Sequence, residues 1–115
     1  MIYCKRVYEP VEPGDGYRVL VDRLWPRGVK KNALPMDLWC KEVAPSQALR
    51  QAFHASLLDY DGFRAAYRQE LRDNEAAWRP LATRAATGDV TLLYASRDTL
   101  RNHAMVLAEF LLTAG

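Results

Sequence analysis

Behind the apolar run Val19-Leu20-Val21, the stretch from Asp22 to Lys31 crowds Arg23, Arg27, Lys30 and Lys31 around Pro26 and Gly28. A strand that stops at Asp22 would deliver these charges to the rim of a sheet, where open α/β folds bind anions. A second rim sequence, Ser96-Arg97-Asp98-Thr99 followed by Asn102 and His103, trails the apolar run Val90 to Ala95. If the two strands are neighbours, Asp22, Arg23 and Arg27 come to lie near Arg97, Asp98, Asn102 and His103. The second turn also runs into a helix, whose free N–H groups and positive dipole end favour an anion.

Arginine at 23, 27 and 97 suits planar, two-pronged gripping of phosphate or carboxylate oxygens, with Asn102 as a neutral partner. The alternative for each guanidinium is pairing with Asp22, Asp98, Glu42 or a helix C-terminus. His103 can serve as acid or base near neutral pH, orient a ligand oxygen, or cap a buried carbonyl. Asp22 is a candidate general base, metal ligand or arginine partner, and Asp98 has the same options plus helix capping. The candidate catalytic residues are therefore His103, Asp22 and Asp98, and the candidate ligand-binding residues are Arg23, Arg27, Arg97 and Asn102. His54, at a helix end without such company, reads as surface or C-terminal capping, and Lys30 and Lys31 as a solvated loop. Trp25 and Trp39, beside Pro26 and Leu38, read as packing residues.

Several chemistries lack their motifs. Ser46 has no Gly-x-Ser-x-Gly setting, and no glycine-rich phosphate loop is present, so no nucleotide cofactor is implied. Asp22 and Asp98 are too few ligands to imply a metal. Cys4 and Cys40 lie apart in apolar contexts, which reads as buried reduced thiols rather than a disulfide or zinc site.

The elements that must position these residues follow from periodicity. Residues 2–8 and 17–22 read as strands, separated by the turn Pro13-Gly14-Asp15-Gly16, and 38–43 as a short third strand. Ser46 caps a helix with Leu49, Ala52 and Phe53 inward. Asp59 caps another, striped by Phe63, Tyr67 and Leu71, with Arg64, Arg68, Gln69 and Arg72 on its solvated face. Asn74 opens a third, with Trp78, Leu81, Ala82 and Ala85 inward and Gly88 as its stop; Pro80 must lie in its first turn or bend it. Residues 90–95 read as a central strand covered on both faces. The apolar positions 100, 104, 107 and 111 mark a closing helix, capped by Thr99 or Asp98. This order argues a single α/β domain over 1–115, with helices packed on a mostly parallel sheet of about four strands.

With 115 residues, half of them apolar, the chain can bury one real core. No apolar run approaches the length of a membrane span, and the first residues lack a signal peptide's apolar block, which gives the expectation of a soluble cytoplasmic protein with no membrane partner. The net charge is only +2, but Arg18, Arg23, Arg27, Lys30 and Lys31 against Asp22 make residues 17–31 a local cationic patch.

The segments Cys4-Lys5-Arg6-Val7-Tyr8, Asp15-Gly16-Tyr17-Arg18, Val21 to Lys31, Trp39 through Lys41-Glu42 to Ala44-Pro45-Ser46, Leu49-Arg50, Leu92-Leu93-Tyr94 and Asn102-His103-Ala104 together resemble the YeaO-like branch of a bacterial domain-of-unknown-function family. The resemblance spans nearly the whole chain and implies a small cytoplasmic α/β protein with no established reaction. Longer relatives in that wider family carry Cys-His-Arg where this chain has Asn102-His103-Ala104, so only His103 carries over. The missing thiol argues against a cysteine nucleophile, and the missing arginine weakens an anion site unless Arg97 or Arg27 substitutes. Asp22, Arg23 and Arg27 resemble the Asp-x-Arg and following Pro-Arg region of the same relatives.

Three functions compete. The first is an enzyme of hydrolase or transferase type acting on a phosphorylated or nucleotide-like small anion, with Arg23, Arg27 and Arg97 holding the anion and His103 with Asp22 or Asp98 handling protons. The second is a binding or sensing module with the same pocket and no chemistry. The third is nucleic-acid binding through Arg18, Arg23, Arg27, Lys30 and Lys31 with Trp25 as a stacking platform, which the small net charge weakens.

Overall fold

The computed structural model describes residues 1–114. Four strands, β1 (Ile2–Arg6), β2 (Tyr17–Leu20), β3 (Leu38–Trp39) and β4 (Val90–Tyr94), form one sheet in the order β1-β4-β2-β3, and every pairing is parallel. Four helices accompany them: α1 (Gln47–His54), α2 (Tyr60–Arg72), α3 (Glu75–Thr87) and α4 (His103–Ala114). This is the α/β architecture that the order of elements predicts. β4 is central and buried at every position, because its apolar run meets packed side chains on both faces.

The two faces are covered differently. Val19, Val21, Val90, Leu92 and Tyr94 point to the helical layer, where they join Tyr67, Leu71, Trp78, Leu107 and Phe110. Leu20 and Leu93, one residue out of phase, point the other way and meet Val7 and Leu34, with Trp25, Val29, Met36 and Trp39 packed around them. The segment between β2 and β3 thus covers the second face without a helix. Pro26, Pro35 and a Gly28 with φ of 76° keep it irregular. Indole groups pin it instead: Trp25 Nε1 donates to Val29 O at 2.6 Å and Trp39 Nε1 to Asp22 O at 2.7 Å, with the two rings edge-on at 5.3 Å. Both tryptophans are packing residues.

Helix starts follow the capping chemistry. Ser46 Oγ accepts from Leu49 N at 3.2 Å, and Asp59 Oδ1 accepts from Gly62 N at 2.7 Å. The inward stripe of α2, Phe63, Tyr67 and Leu71, is buried. Several boundaries differ from expectation: β1 ends at Arg6 rather than at Tyr8, β2 at Leu20 rather than at Asp22, and β4 at Tyr94 rather than at Ala95. The third strand ends at Trp39 because Lys41–Val43 turn into a 3-10 helix ahead of Pro45. Pro80 sits in the second turn of α3 rather than the first. The closing helix begins at His103, and its cap is neither Thr99 nor Asp98: Asn102 Oδ1 accepts from Met105 N at 3.0 Å. Asp98 instead folds its own turn, Oδ1 accepting from Leu100 N and Arg101 N, which leaves Leu100 exposed rather than on the inward stripe.

Gly16 has φ of 64°, and a Cβ there would stand 2.3 Å from Asp89 O, the acceptor for Tyr17 N at the start of β2. Beside it Asp15, Lys5 and Arg18 form a largely buried ion cluster that joins β1, the Pro13–Asp15 turn and β2. No helix among the described residues is long and apolar enough to cross a membrane.

Candidate functional site

Because β2 and β4 are parallel neighbours, the chain leaves both at one rim, and the two cationic turns meet there. Asp22 couples them: its Oδ2 accepts from Ala95 N at 3.0 Å, so the end of β2 is tied to the end of β4. Its Oδ1 lies 2.8 Å from His103 Nε2 at the start of α4. The two atoms are close but out of line for a hydrogen bond, and neither has another partner. A carboxylate and an imidazole therefore share one wall of a cavity of about 370 Å³ at the rim.

The predicted residues separate. Asp22, Arg23, Arg97, Asn102 and His103 all border the cavity. Arg23 and Arg97, from distant parts of the chain, thus share one crevice. Their roles differ, because the Arg23 guanidinium donates through Nε to Pro45 O and through Nη2 to Ala44 O, both at 3.0 Å, clamping the linker into α1. Arg23 also borders a second, shallower hollow of about 280 Å³ with Glu42, Glu70 and Asp73. Asn102 is buried, with both ends of its amide in use: Nδ2 donates to Asp98 O at 2.8 Å while Oδ1 caps α4. The Asp98 carboxyl is held below its usual range by the N–H groups of Arg101 and Leu100, and it is not part of the cavity wall. Arg27 is exposed and stands outside the cavity, where its carbonyl accepts from the Tyr8 hydroxyl at 3.0 Å.

Among the bordering residues that the sequence reading did not assign to the site are two arginines and two aromatic residues: Arg50, Arg101, Phe53 and Phe63. His54, which reads from sequence as surface or capping, borders the cavity as well. Arg50, Phe53 and His54 stand at i, i+3 and i+4, one face of α1, so the spacing was available as a signal. What hid it was Phe53, whose apolar character reads as core. No salt bridge among the described residues engages Arg50, Arg97 or Arg101.

The wall opposite in sequence is braced from the sheet edge. Arg6 of β1 donates through Nε to Ser96 O at 2.9 Å and through Nη2 to Ala95 O at 3.1 Å, fixing the loop that carries Arg97. The thiols take no part in the cavity. Cys4 Sγ donates to Ala104 O at 3.5 Å and its burial pushes the thiol up to about 11; burial likewise raises Cys40. Among the described residues no group of three or more His, Cys, Asp or Glu side chains is placed to hold a metal ion.

Residues 1–114 match the family described as "Inactive DUF488-N3 subclade". The uncharacterised protein YeaO of Escherichia coli (strain K12) is 53% identical over 110 residues, 96% of each chain. An uncharacterised protein of Mycobacterium tuberculosis (strain ATCC 25618 / H37Rv), Rv3073c, is 44% identical over 106 residues, covering 92% of this chain and 89% of its own. No solved structure matches.

Proposed function

Since the chain belongs to the inactive DUF488-N3 subclade, we propose that it is a non-catalytic binding module for a small anionic ligand held at the rim cavity. The observation that carries this reading is the set of guanidinium groups from Arg50, Arg97 and Arg101 around one cavity, none of them engaged in a salt bridge within the described chain. Their only acidic neighbour in the wall is Asp22, which faces His103 and Ala95 N. The N-terminus of α4 adds a dipole of the same sign. Phosphate and carboxylate match such a cationic wall, and Arg grips either through two oxygens. The two unpaired thiols suit a reducing, cytoplasmic setting.

A thermal-shift series with inorganic phosphate and small carboxylates tests the reading. An anion at a hundred times its Kd should contribute about 2.7 kcal/mol, and Arg97→Ala with Arg101→Ala should abolish the shift while leaving the unliganded melting point in place. If no anion stabilises the protein, the cavity is not an anion site.

A second reading, a hydrolase or transferase acting on the same anion, draws on the 2.8 Å approach of His103 to Asp22 at the cavity wall. It requires a chemically altered ligand after incubation, and loss of that product in His103→Ala. Nucleic-acid binding draws less support. Arg18 is buried in its ion pair with Asp15 and Arg23 is spent on carbonyls, so the patch presents Arg27, Lys30 and Lys31.

A further inference from the structure

We propose that the cavity selects an anion carrying one planar unsaturated ring, the ring lying against Phe53 and the anionic group against Arg97 and Arg101; this rests on the anion-binding reading above and narrows it. The cavity has two chemically different walls. α1 contributes Phe53 between Arg50 and His54, whereas the loop after β4 contributes the exposed Arg97 and Arg101.

Phe53 is a prepared surface. On one side it stacks on Phe63, centroids 4.5 Å apart at 20° between planes. Phe63 is only 2% exposed and belongs to the core, so its partner is backed by rigid packing. Phe53 itself is half-buried and borders the cavity, so part of a firmly seated aromatic ring is left facing ligand space. An aromatic surface of this kind favours planar rings without selecting among them, because a π system makes a larger and flatter contact with it than the C–H edge of a sugar or an aliphatic chain does. A volume of about 370 Å³ lies at the small end for ligand cavities, which suits one ring and one phosphate rather than a dinucleotide. Guanidinium groups supply the other half of the match.

Calorimetric titration of the full chain separates the ring from the anion. The probes are adenosine 5′-monophosphate, uridine 5′-monophosphate and pyridoxine 5′-phosphate on one side, and ribose 5-phosphate and inorganic phosphate on the other, all at one ionic strength. The expected result is that at least one ring-bearing phosphate binds about tenfold more tightly than ribose 5-phosphate. Phe53→Leu should erase that advantage without weakening ribose 5-phosphate, and Phe53→Tyr, which keeps the ring, should preserve it. Equal affinity for ring-bearing and ringless phosphates in the wild-type protein overturns the ring assignment and leaves the anion site standing. Failure of every phosphate to bind overturns the ring assignment, and failure of small carboxylates as well overturns the anion site.

Discussion

His103 Nε2 and Asp22 Oδ1 stand 2.8 Å apart without the alignment of a hydrogen bond, while the other oxygen of the same carboxylate is well bonded to Ala95 N. The carboxylate's structural work is thus the seam between β2 and β4. Asp22→Ala should lower unfolding free energy by about 2 kcal/mol, the cost of an amide left without its acceptor. His103→Ala should cost less than about 1 kcal/mol. Urea denaturation of both variants decides, and equal losses would mean that the imidazole contact matters as much as the amide bond.

Arg23 and Arg97 share a cavity but not a task. Arg23→Ala removes charged donors from two carbonyls and should destabilise the fold by about 2 kcal/mol. Arg97→Ala, at an exposed position, should stay within about 0.5 kcal/mol of wild type and yet weaken anion binding. Melting curves with and without phosphate separate the two; a stable Arg23→Ala protein would contradict the clamp described here.

The cluster around Asp15 predicts an acid limb to stability. Burial raises the Asp15 carboxyl, but the Glu12 N–H, the Lys5 ammonium and the Arg18 guanidinium outweigh it and hold the group below its ordinary value. A carboxyl depressed in the folded state stabilises the protein above its unfolded value of about 4, and that contribution is lost as pH falls through the folded value. Between pH 5 and pH 3 wild type should therefore lose more unfolding free energy than Asp15→Asn, which has no carboxyl to protonate. At pH 7 the same variant should cost about 3 kcal/mol, since it leaves the buried Arg18 guanidinium without its carboxylate, while Lys5 keeps Glu12. Parallel slopes for the two proteins would remove Asp15 from the account.

Gly16 and Gly28 both adopt positive φ, yet their surroundings differ. Alanine at 28 would meet nothing within 4 Å, whereas at 16 its Cβ would collide with Asp89 O. Gly28→Ala should cost about 1 kcal/mol of backbone strain, and Gly16→Ala about 3 kcal/mol or more. Guanidinium melts that rank the two the other way would show that the strand start tolerates displacement.

Cys40, which is buried, and Cys4, which is half-buried with its thiol on Ala104 O, should resist iodoacetamide at pH 8 in the folded protein and react once urea exposes them, because burial raises both thiols and keeps them protonated. Mass spectrometry counts the adducts. Rapid labelling of folded protein at either position would contradict the packing.

The fold was largely legible because its signals are local. Val90 to Tyr94 is apolar at each position but one, Ser46 and Asp59 are good caps, and the stripe Phe63, Tyr67, Leu71 keeps helical spacing. Boundaries failed where two side chains are both competent caps: Asp98 and Asn102 each offer an oxygen near the start of α4, Asp98 closes its own turn on Leu100 N and Arg101 N, and Asn102 is left to cap the helix at Met105 N. For the cavity, the rim and its two turns followed from strand order alone. The use of each arginine did not, since Arg23 is committed by carbonyls of Ala44 and Pro45 that lie more than twenty positions away. The α1 wall was missed for a related reason: Phe53 satisfies a core pattern and borders the cavity at once.

Arg6 holds Ser96 O and Ala95 O from the outermost strand, so the turn bearing Arg97 is tied down by bonds within the chain itself. A receptacle moulded in advance gives up little freedom when it fills. Its occupancy should be governed by how fast the visitor leaves, and the empty and filled forms should superimpose.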